Sequence, residues 1–113
     1  MKAGILLACL LLAACDPAPS ELTTIKEARS SAAEWAKVNE LAAQHKVTAT
    51  YAATMRDEAR SQLTKAAAAL PSSQSEVAQI IERVLALPPD APATALAEHA
   101  AKLKQLEDRL AVS

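Results

Sequence analysis

Ser73 to Asp90 reads SQSEVAQIIERVLALPPD, and the fold class turns on this stretch. Val77, Ile80, Ile81, Val84, Leu85 and Leu87 recur three and four residues apart, the period of a helix and not the alternation of a strand. Ser73-Gln74-Ser75-Glu76 fits the capping-box pattern, in which a hydroxyl and a carboxylate satisfy the free N–H groups of a helix start. Pro88-Pro89 stops the helix, because proline has no N–H to donate and its ring crowds the preceding turn. The stretch is thus expected to hold one helix, running through Leu87.

The same signals continue on both sides. Upstream, Tyr51, Met55, Ala59, Leu63, Ala66 and Leu70 mark the inward face of a helix from Ala49 to about Leu70, stopped by Pro71. Thr48 is its expected N-cap, with Val47 placed to staple against Ala52. Before it, Leu22, Ile25, Ala28, Ala32, Trp35, Val38 and Leu41 follow helical spacing from Glu21 to about Gln44, with Ser20 as cap. The intervening turn contains no glycine, so His45 is the candidate for the left-handed closing position. Downstream, Pro88-Pro89-Asp90 is expected to cap a fourth helix over roughly Ala91 to Ala111. There Leu96, Leu103 and Leu110 lie seven apart with Leu106 between them, as in a short coiled-coil seam. Glu98 and Lys102 form a supporting i,i+4 pair.

These elements predict an all-α fold: a small antiparallel bundle of about four helices, arranged as two helical hairpins because the connections are short. The first hairpin is lined with alanine, while the second carries most of the branched aliphatic residues. From Cys15 onward, alanine, the best helix former, occurs 24 times.

Composition narrows the chemistry. The single glycine is Gly4, so Cys15 to Ser113 lacks the backbone freedom needed by phosphate-cradling loops, dinucleotide fingerprints, EF-hand loops and nucleophile elbows. Eleven basic residues stand against thirteen acidic ones over that span, interspersed along the chain, and Trp35 and Tyr51 are the two aromatics. Neither a basic footprint nor a stacking platform for nucleic acid is present. His45 and His99 stand apart from any metal-ligand spacing, and no cofactor is expected. Ser72, Ser73 and Ser75 read as caps, and Arg56-Asp57-Glu58-Ala59-Arg60 as a solvated helix face with Asp57 and Arg60 paired. Trp35 sits at core spacing. No residue stands out as catalytic, and the chain reads as a non-enzyme.

The first residues carry the most specific signal. Met1-Lys2 gives a charged start, Ala3 to Leu12 is an unbroken apolar run, and Ala13-Ala14 places small residues before Cys15. That is the order of a secretory signal peptide. Ala3 to Ala14 is too short to span a bilayer, which takes about 20 residues. Leu12-Ala13-Ala14-Cys15 resembles the lipobox of bacterial lipoproteins. The resemblance implies cleavage before Cys15 and lipid on its sulfur, hence a membrane anchor. Residues 1–14 would be the signal peptide, 15–19 the lipidated cysteine with a short tether, and 20–113 a single helical domain. Cys15 would then be the only cysteine of the processed chain, which excludes an internal disulfide. Asp16 resembles the sorting signal that retains enteric lipoproteins in the inner membrane, so its periplasmic face is slightly favoured over the outer membrane.

The expected function is that of a membrane-anchored accessory of the bacterial cell envelope, acting through contact with an envelope protein or through self-association. Leu96, Leu103, Leu106 and Leu110 are the candidate contact surface, available only where the first hairpin leaves them uncovered. The alternative is an exclusion or lysis lipoprotein of a phage or conjugative element, since such proteins are often this small.

Overall fold

The computed structural model describes residues 21–112, which fold as four helices without a strand. They are α1 (Glu21–Ala43), α2 (Ala49–Ala69), α3 (Glu76–Leu85) and α4 (Ala93–Ala111). The all-α class and the four-helix arrangement are as the periodicity implies.

The turn between α1 and α2 closes through His45, whose φ is 58°. Its N–H donates to Ala42 O at 3.1 Å, and the Lys46 N–H donates to Leu41 O at 2.9 Å. This pair of reversed bonds is a Schellman motif, in which a left-handed residue turns the chain and satisfies the last carbonyls of the helix. Thr48 then opens α2, its Oγ1 accepting the Tyr51 N–H at 3.1 Å. Leu70 is extended, as the residue before a proline prefers, and α2 ends there.

Two helix starts differ from the sequence expectation. The cap of α3 is Ser75, not Ser73, with its Oγ accepting the Ala78 N–H at 3.1 Å. Ser72 holds the preceding residues in a turn by accepting the Gln74 N–H at 3.1 Å, so Ser73 does not cap and α3 is only ten residues long. Its last helical residue is Leu85, and the chain leaves it before Leu87. Nor does Asp90 cap α4. Pro92 occupies the N-cap position without a side-chain bond, because a proline disfavours helical geometry at the residue before it.

Side-chain pairs fix the packing. Arg29 near the start of α1 meets Glu107 near the end of α4, and Asn39 near the end of α1 meets Ala91 ahead of α4. Those two helices are therefore antiparallel. Arg56 of α2 reaches Asn39, and Arg109 of α4 reaches Glu76 of α3, so each hairpin is antiparallel as well. Helix α1 lies against both α2 and α4, and α3 closes the ring on the other side.

One apolar cluster joins all four helices, with Ile25 and Trp35 from α1, Leu63 from α2, Ile81 and Val84 from α3, and Leu96 and Leu103 from α4. The two hairpins are thus packed on each other. Where α2 meets the interior its residues are small: Ala52, Ala59 and Ala66 are buried at seven-residue intervals, with Leu63 among them. Tyr51 does not belong to this face. It is 49% exposed, displaced from the interior by Ala52, whose small side chain suits the approach of α1.

Candidate functional site

Cys15 and Asp16, the lipidation and sorting candidates, lie outside the described residues. The leucine seam does not. Leu96 and Leu103 are fully buried, Leu106 is buried to 8% exposure, and Leu110 remains 39% exposed. Helix α4 lays this seam chiefly against α1, because a ten-residue α3 cannot cover nineteen residues of α4. As a contact surface for another chain, the seam reduces to its Leu110 end.

The densest polar cluster joins α1, α2 and the loop between α3 and α4. Trp35 Nε1 donates to Pro89 O at 2.8 Å. Asn39 Nδ2 donates to Pro89 O at 3.1 Å and to Ala91 O at 2.7 Å. Arg56 Nε donates to Asn39 Oδ1 at 2.7 Å, so every polar atom of that amide is engaged. Arg60 Nη1 donates to Leu87 O at 3.3 Å, and its guanidinium lies 5.3 Å from the centre of the Trp35 ring. The geometry is that of a clasp. A loop ending a helix beside two prolines has carbonyls to satisfy, and Trp35, Asn39 and Arg60 satisfy them across the bundle while Arg56 holds the Asn39 amide in place.

The clasp revises the reading of Arg56 to Arg60 as a solvated face. Arg60 turns toward Trp35 and Leu87 instead of pairing with Asp57, and both arginines are half-buried. The ion pair at i,i+4 in α4 is Lys104 with Asp108, at 2.9 Å, in place of Glu98 with Lys102. A second inward charge is Glu107, whose side chain is 7% exposed; Arg29 holds it at 3.1 Å and Lys104 lies 3.9 Å away. Among the described residues three buried polar atoms have no hydrogen-bond partner: Thr24 Oγ1, Arg29 Nε and His99 Nδ1. For His99, burial lowers the imidazole pKa from its ordinary 6.5; Lys102 and, more weakly, Arg83 push the same way, against Glu98.

The surface carries shallow hollows. The groove between α3 and α4 has Ile80 and Leu106 along it and is rimmed by Arg83, Lys102 and Arg109, with Glu76 opposing them. A hollow of about 360 Å³ opens at the end of the bundle, where Val77, Leu106 and Leu110 meet Glu21, Glu76 and Arg109. Between α1 and α2 the lining is polar, with Glu27, Glu34, Glu58 and Lys26. Among the described residues no group of three or more His, Cys, Asp and Glu is placed to hold a metal ion. No described helix is long and apolar enough to cross a membrane.

No protein-family model matches the chain, and no curated protein or solved structure matches it.

Proposed function

We propose that this chain is a small lipoprotein of the bacterial cell envelope, anchored by lipid on Cys15 and acting as a non-enzymatic accessory through protein–protein contact. The observation that carries the proposal is the N-terminal sequence itself, a charged start and a short apolar run ending in Leu12-Ala13-Ala14-Cys15. One acyl chain holds a protein on a membrane only marginally, at about 0.8 kcal/mol per buried methylene, so stable attachment takes two or three chains on that residue. Asp16 favours the periplasmic face of the inner membrane as the site of residence.

The polar groups of the bundle support an accessory role. Trp35, Asn39, Arg56 and Arg60 are engaged with backbone carbonyls and with one another, an arrangement that fastens helices together and leaves these groups little freedom to handle a substrate.

The test is processing of the full chain in bacterial cells. The purified protein should begin at Cys15 and carry the mass of its acyl chains. Cys15→Ser should accumulate as an unprocessed and unacylated precursor. Normal cleavage and membrane retention of that variant would overturn the proposal.

A further inference from the structure

We infer that the bundle stands end-on against the bilayer and that Leu110 and Val112 rest in the lipid interface; this builds on the anchor proposed above. Two observations converge on one end of the molecule.

The first is the position of the chain that precedes the fold. Helix α1 begins at Glu21, six residues after Cys15. At about 3.6 Å per residue when fully extended, six residues reach no more than about 20 Å. The start of α1 is therefore confined close to the lipid surface, while the other end of the helix, Ala43, lies roughly 30 Å along the helix axis from that start at 1.5 Å per residue.

The second is where the exposed apolar side chains lie. Among the described residues three large hydrophobic side chains are exposed: Tyr51, Leu110 and Val112. Tyr51 is on the first turn of α2, at the far end. Leu110 and Val112, 39% and 86% exposed, are at the near end, because α4 runs antiparallel to α1 and finishes beside its start. Glu21 and Leu110 line the same hollow there, with Val77 and Leu106 as further apolar walls. Arg109 stands at its rim in an exposed pair with Glu76, 3.2 Å apart, and can exchange that partner for a headgroup phosphate while the leucine and valine contact the acyl region. Apolar groups exposed on the one end that a short tether holds at the membrane have lipid as their nearest apolar surroundings.

The test uses the full acylated chain with a single introduced thiol, since the thiol of Cys15 is blocked by its own lipid. Val112→Cys and, as the far-end control, Thr50→Cys are each labelled with an environment-sensitive fluorophore. Each protein is placed in phosphatidylglycerol-containing vesicles that carry nitroxide lipids, and its mass is checked for acylation. The expected result is severalfold stronger quenching by the nitroxide lipids at residue 112 than at residue 50. Equal quenching at both positions in an acylated protein overturns the end-on contact and leaves the anchor standing. A blue-shifted residue 112 that nitroxide lipids fail to quench, and whose shift grows with protein density, assigns the surface to a second copy and overturns the lipid contact. A chain that lacks the acyl mass overturns the anchor and the contact together.

Discussion

Asn39 Nδ2 lies 2.7 Å from Ala91 O, joining two residues 52 positions apart in the chain. The same amide nitrogen also donates to Pro89 O, and Arg56 donates to the amide oxygen. This one side chain therefore links α1, α2 and the entry to α4, and it is buried to 6% exposure. Replacing it with leucine, of similar size, removes both donors and strands the Ala91 carbonyl. Asn39→Leu should destabilise the fold by about 2–3 kcal/mol, because an unsatisfied buried group loses its hydration without recompense. Urea unfolding measures this, and a change below half a kcal/mol would show that the clasp contributes little.

Trp35 tests the same region from its aromatic side. Trp35→Phe keeps much of the apolar bulk but loses the bond to Pro89 O and weakens the contact with Arg60. A cost of about 1–3 kcal/mol is expected from the lost bond and the space left by the smaller ring. Trp35→Ala should cost about 3–5 kcal/mol. Comparing Trp35→Phe, Asn39→Leu and the double variant gives their coupling, which should be non-additive because both side chains serve Pro89 O.

The pair formed by Arg29 and Glu107 is unequal in exposure, 34% against 7%. Arg29→Met leaves the carboxylate in the interior with only Lys104, at 3.9 Å, to offset it. Removing a partner from a buried charge is costly, at 3–5 kcal/mol for fully buried pairs; the exposure of Arg29 reduces this to about 1–2 kcal/mol. The further change Glu107→Leu, by removing the stranded charge, should recover part of the loss. If the double variant is less stable than Arg29→Met, the carboxylate is not the source of the cost.

His99 makes stability depend on pH in a definite direction. Its folded-state pKa lies below the ordinary 6.5, through burial first and then through Lys102 and Arg83, against Glu98. The unfolded chain therefore binds more protons between the two pKa values, and stability rises with pH across that interval. Acidification through about pH 6.5 should lower the midpoint of chemical unfolding, and His99→Gln should flatten that part of the profile. A midpoint that rises on acidification over the same range, and is flattened by the same substitution, would reverse the assignment.

The φ of 58° at His45 is unfavourable for a residue with a Cβ, so His45→Gly should relieve it. Part of the gain is offset by the greater freedom of glycine in the unfolded chain, leaving about 0.5–1 kcal/mol. The thermal midpoint should rise by a few degrees.

The features legible in the sequence were those written in short range. Spacing of apolar residues marked all four helices, and His45 and Thr48 lay where a turn without glycine required them. Caps depending on the competition between neighbouring serines were less legible: Ser73 and Ser75 both precede a glutamate-led helix, and only the turn held by Ser72 selects Ser75. The clasp is a long-range feature, formed by polar residues with carbonyls about fifty positions away. A trace of it was present nonetheless. Thr24, Ala28, Ser31, Trp35 and Asn39 follow one another at steps of three and four, so the buried stripe of α1 continues through polar residues that a purely apolar pattern passes over. Glu107, four residues after Leu103, is the same case in α4.

The clasp also makes the two ends of the bundle mechanically unlike. Its bonds to Leu87, Pro89 and Ala91 lie at the end away from Glu21, while the near end is bridged by apolar contact, by the pair of Arg29 with the buried Glu107, and by the exposed pair of Arg109 with Glu76, 3.2 Å apart. A load applied at residue 21 therefore meets ion pairs and apolar contact before it reaches the clasp. The helices would part there as a pair of shears does, pivoting on Trp35 and Asn39, and the inner faces of Val77 and Leu106 would be the first surfaces uncovered.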